Sequence, residues 1–486
     1  MKKTTRIVAL ILSVCLLFSA CSGQKEDSSA TSQQNSSSYA DKIALPYNEA
    51  DGLNPYFAQS YENLYICALL FQPLYSTDST YIAKGVIAES IQVTENIATV
   101  KIRQGVACKG FPAITADDVV YSFNKAKDSY AWGESLNGVK AAEAVGQYTV
   151  NFTLTHSDVY VYGKLDFPIV KSGTADDEDA IPTGSGSYYY SDSKIISVSD
   201  SGKAIRLSPI GTRESAENAI TIGVTDVFFD DLSECNYTTT SLLKNDIQLN
   251  NMVYLGLNSE NGALNRYIRN AIAARLDSDK IALSSYQGHA APVKLPIDPA
   301  SNLAGGVTAV NTVGDIELAR NIIDRCGYTN DSGDAKTNGA YVLSFTLIVN
   351  KENKFRLAAA YNIADALNEC GFLITVKPLP FEDYMAQIKA GTFDMYIGEV
   401  KLDYSMDVSG FFTEGNVLSA GIDVYEEVAK EYFKYRAGEI TATTYYETFA
   451  EYYPFIPVVF RKGYVLTSNE IKLNLKGMPY SLYSGI

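Results

Sequence analysis

The stretch from 345 to 376 constrains the fold most. Phe345 to Val349 is a β-branched and aliphatic run that reads as a strand. From Phe355 to Cys370 the apolar residues recur at helical spacing, Gly371 follows as a helix stop, and Leu373 to Val376 reads as a strand again. Strand, helix, glycine, strand is a repeating αβ unit, and it argues for a mixed α/β body. Other segments agree. Thr99 to Ile102 and Thr149 to Thr155 read as strands, Arg269 to Arg275 is helical, and Asp315 to Cys326 is a helix closed by Gly327. Thr115 with Asp118 three residues on forms a capping box for a helix whose apolar face is Val119, Val120 and Phe123. No internal repeat is apparent.

At 486 residues and 46% hydrophobic, the chain is too long for one ordinary domain and ample for a sizeable core. The formal charge is −16, which disfavours nucleic acid, since binding it needs clustered Lys and Arg to displace counterions. There are 35 Tyr and one Trp, Trp132. Tyrosine offers large amphipathic contact area with few torsions to freeze, which suits a binding cleft, although most of these residues are expected simply to furnish strands.

The first 20 residues have the plan of an export signal: Lys2, Lys3 and Arg6, an apolar run from Ile7 to Phe18, then small Ser19 and Ala20. The run falls short of the roughly 20 residues that span a bilayer, which leaves a transmembrane anchor as the second choice. Leu17-Phe18-Ser19-Ala20-Cys21 resembles a bacterial lipobox, with Phe18 where Leu is usual; the resemblance implies acylation of Cys21 and attachment to membrane lipid. Residues 22–38, rich in Ser and Gln, are expected to be a flexible tether. Cleavage removes three positive charges and makes the mature chain more acidic still. Five further cysteines, Cys67, Cys108, Cys235, Cys326 and Cys370, have no CxxC spacing. An odd number leaves at least one thiol unpaired in a monomer, and Cys67, Cys326 and Cys370 read as small core residues of helices.

Several motifs, in order, resemble one family. Leu53-Asn54-Pro55 precedes Leu70-Phe71-Gln72-Pro73-Leu74, and Gly85 to Ser90 follows. Lys101-Ile102-Arg103-Gln104-Gly105-Val106 leads to Gly110 and Thr115-Ala116-Asp117-Asp118-Val119. Pro182-Thr183-Gly184-Ser185-Gly186-Ser187-Tyr188 comes next, then Asn258, Arg269, Ala271 and Asp277. Together they are similar to the oligopeptide- and dipeptide-binding proteins of ABC importers, solute-binding family 5. The resemblance implies a periplasmic-binding-protein-like α/β fold (type II, cluster C-like). Two lobes would be joined by a hinge: lobe I from 40–80, 167–255 and 456–486, an inserted subdomain at 81–166, and lobe II at 256–455, after a signal peptide at 1–20 and a tether at 21–39. Ligand would bind between closing lobes.

The resemblance also implies ligand residues. Asp403-Tyr404 matches a segment whose carboxylate pairs with a peptide's α-ammonium, although Val400 stands where the family has Trp, and Ser405, Met406 and Asp407 replace a Pro-containing run. The competing reading has Asp403 capping a turn or pairing with Lys401. By position, the peptide backbone would lie between two strand segments, Gln59-Ser60-Tyr61 and Glu399-Val400-Lys401, as β-augmentation. Tyr56 and Phe57 line the cleft or belong to the core. Gly184 and Gly186 are expected to serve backbone geometry near the hinge, and Ser185 is a further possible contact.

Enzyme signatures are absent: no G-x-S-x-G, no H-E-x-x-H and no Walker loop. The two histidines, His156 and His289, lack ligand partners at metal spacing. The polar loops at 172–179 and 330–339 read as solvated turns rather than calcium loops. The expectation is a monomeric binding protein, not an enzyme, with no cofactor or metal. Its partners would be a short peptide or other small solute and the permease subunits of an ABC importer. The alternatives are a signalling-peptide sensor, or a carrier of a chelated metal, opine or sugar.

Overall fold

A computed structural model describes residues 43–192, 194–198, 204–210, 213–235, 241–304, 307, 311–329, 335–468 and 482–483. The leader, Cys21 and the tether lie outside the described residues. Residues 39–486 form one compact unit.

Two hydrophobic cores organise that unit. The first gathers residues from both ends of the chain. Its antiparallel four-stranded sheet has the order Ala88–Thr94, Ile97–Ile102, Thr149–Leu154, Val139–Gly146. The helix Ala116–Lys127 contributes Val119 and Phe123 to the core. The Asp118 carboxylate accepts the Thr115 N–H at 2.9 Å, the reach-back half of the expected capping box. A second four-stranded sheet sets Ala44–Tyr47 parallel to Ala204–Pro209. Helix Tyr61–Leu70 is almost wholly buried.

The second core surrounds a seven-stranded sheet. Six strands run in the order Val227–Asp230, Phe455–Thr467, Leu243–Leu257, Met395–Lys401, Ser344–Asn350, Leu373–Leu379, and Ala290–Pro292 pairs with Phe455–Thr467 off that path. The αβ unit of residues 345–376 lies here. Ser344–Asn350 and Leu373–Leu379 pair in parallel across helix Lys354–Asn368, and Gly371 sits at φ +92°, the left-handed turn that lets the chain leave the helix.

Two long strands join the cores. On Leu243–Leu257, Ile247 and Leu249 belong to the first core and Met252 to Leu257 to the second; on Phe455–Thr467, Val465 packs in the first core, while Phe455 to Phe460 and the flanking Tyr464 and Leu466 belong to the second. Their mutual register shifts between Gln248 and Met252 and again between Val253 and Tyr254. Such irregularities bend a strand pair locally. The first falls where Leu243–Leu257 passes from the first core to the second, and the other lies within the second core.

Two sequence expectations change. Gly184 and Gly186 do not adopt positive φ. A Cβ on Gly184 would run into the Phe71 ring, and one on Gly186 into the Leu69 and Leu70 backbone, so both serve close approach. Cys326 is half-buried at the end of its helix, whereas Cys67 and Cys370 are core residues as expected; all five described cysteines are free thiols.

Candidate functional site

Residues 401–403 leave the Met395–Lys401 strand between two cavities. The smaller, about 190 Å³, is lined by Gln59, Tyr61, Trp132, Asp166, Lys401, Asp403 and Tyr404 among others. The larger, about 1140 Å³, is lined by Tyr254, Arg356, Tyr396, Glu399, Val400, Lys401 and Asp403 among others. It lies at or just above the roughly 300–1,000 Å³ of ordinary small-ligand pockets.

The Met395–Lys401 strand presents an edge to this region. On one side it pairs with Leu243–Leu257 along its whole length. On the other it pairs with Ser344–Asn350 only at Met395 and Tyr396. Beyond that point the Tyr384 hydroxyl donates to the Ile397 carbonyl at 2.7 Å, and no described strand covers Glu399 on that side. Tyr254, Tyr396 and Gly398 line the larger cavity, and they belong to two reciprocal cross-strand pairs, Tyr254 over Gly398 and Tyr396 over Gly256. Each glycine leaves room for the opposing ring, as aromatic cover of sheet glycines does.

The other expected segment is no strand. Ser60 is the N-cap of helix Tyr61–Leu70, and the Asp51 carboxylate accepts the N–H groups of Gln59 and Ser60 at 2.9 and 2.6 Å. Backbone donors held in a cap are not offered to a ligand strand. Gln59 and Tyr61 line the smaller cavity but Ser60 does not. Phe57 is exposed and lines neither cavity, and Tyr56 is buried with its hydroxyl donating to the Pro168 carbonyl. Ser185 also lines neither; its hydroxyl oxygen is buried without a partner among the described residues.

Asp403 is committed to a partner that sequence reasoning missed. Lys164 Nζ lies 2.5 Å from Asp403 Oδ2 and 2.8 Å from Asp407 Oδ2, and all three side chains are at most 5% exposed. Asp403 Oδ1 accepts the Ser405 N–H and hydroxyl, so the turn-capping reading is right and the Lys401 pairing is replaced by Lys164. Arg436, wholly buried, donates to Asp158 at 2.6 Å and to the Ser405 carbonyl at 2.8 Å. Burial alone would lower the Lys164 pKa, but Asp403, Asp407 and Asp158 outweigh it and hold the amine protonated. Burial alone would raise Asp407, but Lys164 and Arg436 keep its carboxyl well below the usual range. Three carboxylates against two cations leave this buried network one formal negative charge, which favours a cationic group in the neighbouring cavities.

Glu399 is likewise spoken for: Arg461 donates to it at 2.6 Å and Asn251 at 2.9 Å. Burial would raise its carboxyl, yet Arg461 and Arg356 lower it. The side chain therefore braces the sheet, and what it offers a ligand is backbone. His156 lines the larger cavity beside Phe433, with ring centroids 4.9 Å apart, and burial lowers its pKa. No group of three or more metal-ligating side chains occurs among the described residues. Nor is any described helix long and apolar enough to cross a membrane.

An α/β body with two cores, two strands running between them and a cleft beside an open strand edge defines a solute-capturing protein. Residues 83–415 match the model described as bacterial extracellular solute-binding proteins, family 5 middle, and the chain belongs to that family. By family it is an extracellular solute-binding protein, and the family is one of binding proteins rather than enzymes. The oligopeptide-binding protein AppA of Bacillus subtilis is 22% identical over 440 residues, covering 81% of this chain and 79% of that protein. The solved structure of that AppA with a nonapeptide has a TM-score of 0.55 at 19% identity, over 89% of this chain and 96% of AppA. A nickel ABC transporter protein from Bacillus halodurans has a TM-score of 0.71 at 15% identity, over 90% and 98%. The two structural likenesses speak for the fold alone.

Proposed function

We propose that the captured solute is a short peptide. The observation that carries this is the strand edge at Glu399, uncovered by any described strand and adjoining a cavity of about 1140 Å³. A peptide laid along that edge gains main-chain hydrogen bonds that read no side chain. The anionic network of Asp158, Asp403 and Asp407 lies at the same place and suits an α-ammonium group. AppA, whose name describes an oligopeptide-binding protein, supports the same ligand class. In this reading Asp403, Tyr404, Lys401, Val400 and Gln59 line the ligand's path. Lobe I, with the inserted subdomain at 81–166, is built mainly on the first core, lobe II at 256–455 mainly on the second, and the two long strands form the hinge. The mature protein is a monomer held at the outer membrane face by lipid on Cys21, and it delivers the peptide to permease subunits.

A thermal-shift screen of the mature protein against di- to pentapeptide pools, sugars and metal chelates tests the ligand. Saturation a hundredfold above the dissociation constant stabilises by about 2.7 kcal/mol. A shift with peptides that is lost on acetylating their amino termini is expected; a shift only with sugars or chelates removes the peptide and keeps the transport role.

A further inference from the structure

Asp166 stands apart from every other buried carboxylate near the cleft. It follows the helical turn Val161–Lys164 and lines the smaller cavity with Gln59, Tyr61, Lys401 and Asp403. Its Oδ1 is buried and has no hydrogen-bond partner among the described residues. Its neighbours are all matched: Asp403 and Asp407 by Lys164, Asp158 by Arg436, and Glu399 by Arg461. A desolvated carboxylate oxygen left unpaired is costly, and the cost is recovered only when a donor arrives.

The charged groups around it come from several elements. Lys164 lies on its own turn, Asp403 and Lys401 come from the end of the sheet strand, and Glu134 and Asp231 stand elsewhere in the cavity wall. Burial first, and then the charge of Asp403, push the Asp166 carboxyl up to about 7, against the opposing pull of its own backbone N–H, Lys401 and Lys164. The two lysines therefore do not satisfy it.

We infer that Asp166 is the carboxylate that receives the ligand's cationic group, while Asp403, held by Lys164, positions the wall beside it. Only the identity of that cation, the α-ammonium of a peptide, rests on the peptide reading. Capture then needs Asp166 ionised. The free site holds a proton below about pH 7 and must release it on binding, so affinity falls as the medium becomes acidic. The protein takes cargo at neutral pH and holds it less tightly in acid.

The test uses the mature protein and Asp166→Asn, titrated calorimetrically with a peptide that binds the wild type, at about pH 8 and about pH 5.5. The wild type is expected to bind at least about tenfold more weakly in acid. Asp166→Asn should bind at least about tenfold more weakly at pH 8, with the pH dependence gone. Unchanged affinity in Asp166→Asn overturns the inference. Should no peptide bind the wild type, the peptide reading fails by itself, and the same comparison is made with free amino acids, diamines and cationic chelates. A solute that binds both proteins alike overturns the Asp166 assignment. A ligand-free measurement decides it independently. A carboxylate whose folded pKa is raised weakens the fold as pH rises from about 4 to about 7, so Asp166→Asn melts higher than wild type at pH 8 and the gap closes in acid. A lower melting temperature for Asp166→Asn at pH 8 shows that the carboxylate already has protein partners, and the inference falls.

Discussion

Lys164 Nζ lies 2.5 Å from Asp403 Oδ2, joining residues 239 positions apart in the chain. With Asp407 at 2.8 Å and Arg436 bound to Asp158, this contact makes a buried ionic network that ties the 158–164 turn to the segment after the central sheet strand. Its members have almost no exposure, so it is held by mutual compensation rather than by solvent.

Removing Lys164 strands two buried carboxylates. Lys164→Met is expected to cost about 3–5 kcal/mol, the usual penalty for breaking one partner out of a buried pair. Urea denaturation followed by far-UV circular dichroism measures it. A loss below about 1 kcal/mol would mean that the network is solvated in solution.

Asp403→Asn is milder, because Lys164 keeps Asp407. The fold should persist and ligand affinity should drop about tenfold, roughly 1.4 kcal/mol. Since the charge of Asp403 helps raise Asp166, the substitution should also move the midpoint of the pH dependence to lower pH. Calorimetric titration across a pH series reads both effects, and an unchanged midpoint would contradict the coupling.

Gly186→Ala places a methyl group against the Leu69 and Leu70 backbone. Neither neighbour can retreat, since both belong to the buried Tyr61–Leu70 helix. A loss of about 1–3 kcal/mol is expected, as for other overpacked sites, and differential scanning calorimetry checks it.

Lys294 is 4% exposed, and burial lowers its amine to about 8 despite Asp277, Asp279 and Asp315. Its folded pKa lies below its unfolded value, so the unfolded chain binds more protons between about pH 8 and 10.5, and stability rises with pH across that window. Below pH 8 the burial cost is fully present. Lys294→Met should therefore stabilise the protein at pH 7, by up to about 3 kcal/mol. Chemical denaturation that shows a loss instead would mean that the ammonium is well solvated or paired.

Cys21→Ser should move the protein from the membrane fraction to the medium without changing ligand affinity. Detergent phase partition followed by immunoblotting distinguishes the outcomes, and continued membrane association would point to an uncleaved transmembrane leader.

Much of the fold was readable locally. The unit from Phe345 to Val376, the capping box at Thr115 and Asp118, and the glycine stops at Gly327 and Gly371 all depend on residues within a few positions of one another, where helical or strand periodicity and turn chemistry act. The family motifs pointed to Glu399-Val400-Lys401 and Asp403-Tyr404, and these residues line the two cavities beside the strand end. Reading Gln59 to Tyr61 as a strand failed because Asp51, eight and nine residues upstream, captures the backbone donors of Gln59 and Ser60. No periodicity announces such a cap.

The sequence alone therefore determined the αβ unit from Phe345 to Val376, the capped helix at Thr115 and the family to which the chain belongs, since these rest on short-range residue order. Tertiary structure alone decided which charges meet. Lys164 finds Asp403 and Asp407, Arg436 finds Asp158 across 278 residues, and Asp166 Oδ1 has no partner among the described residues. Charge pairing acts through space and strengthens as water is excluded, so it depends on what the fold brings together and buries, which spacing along the chain does not encode.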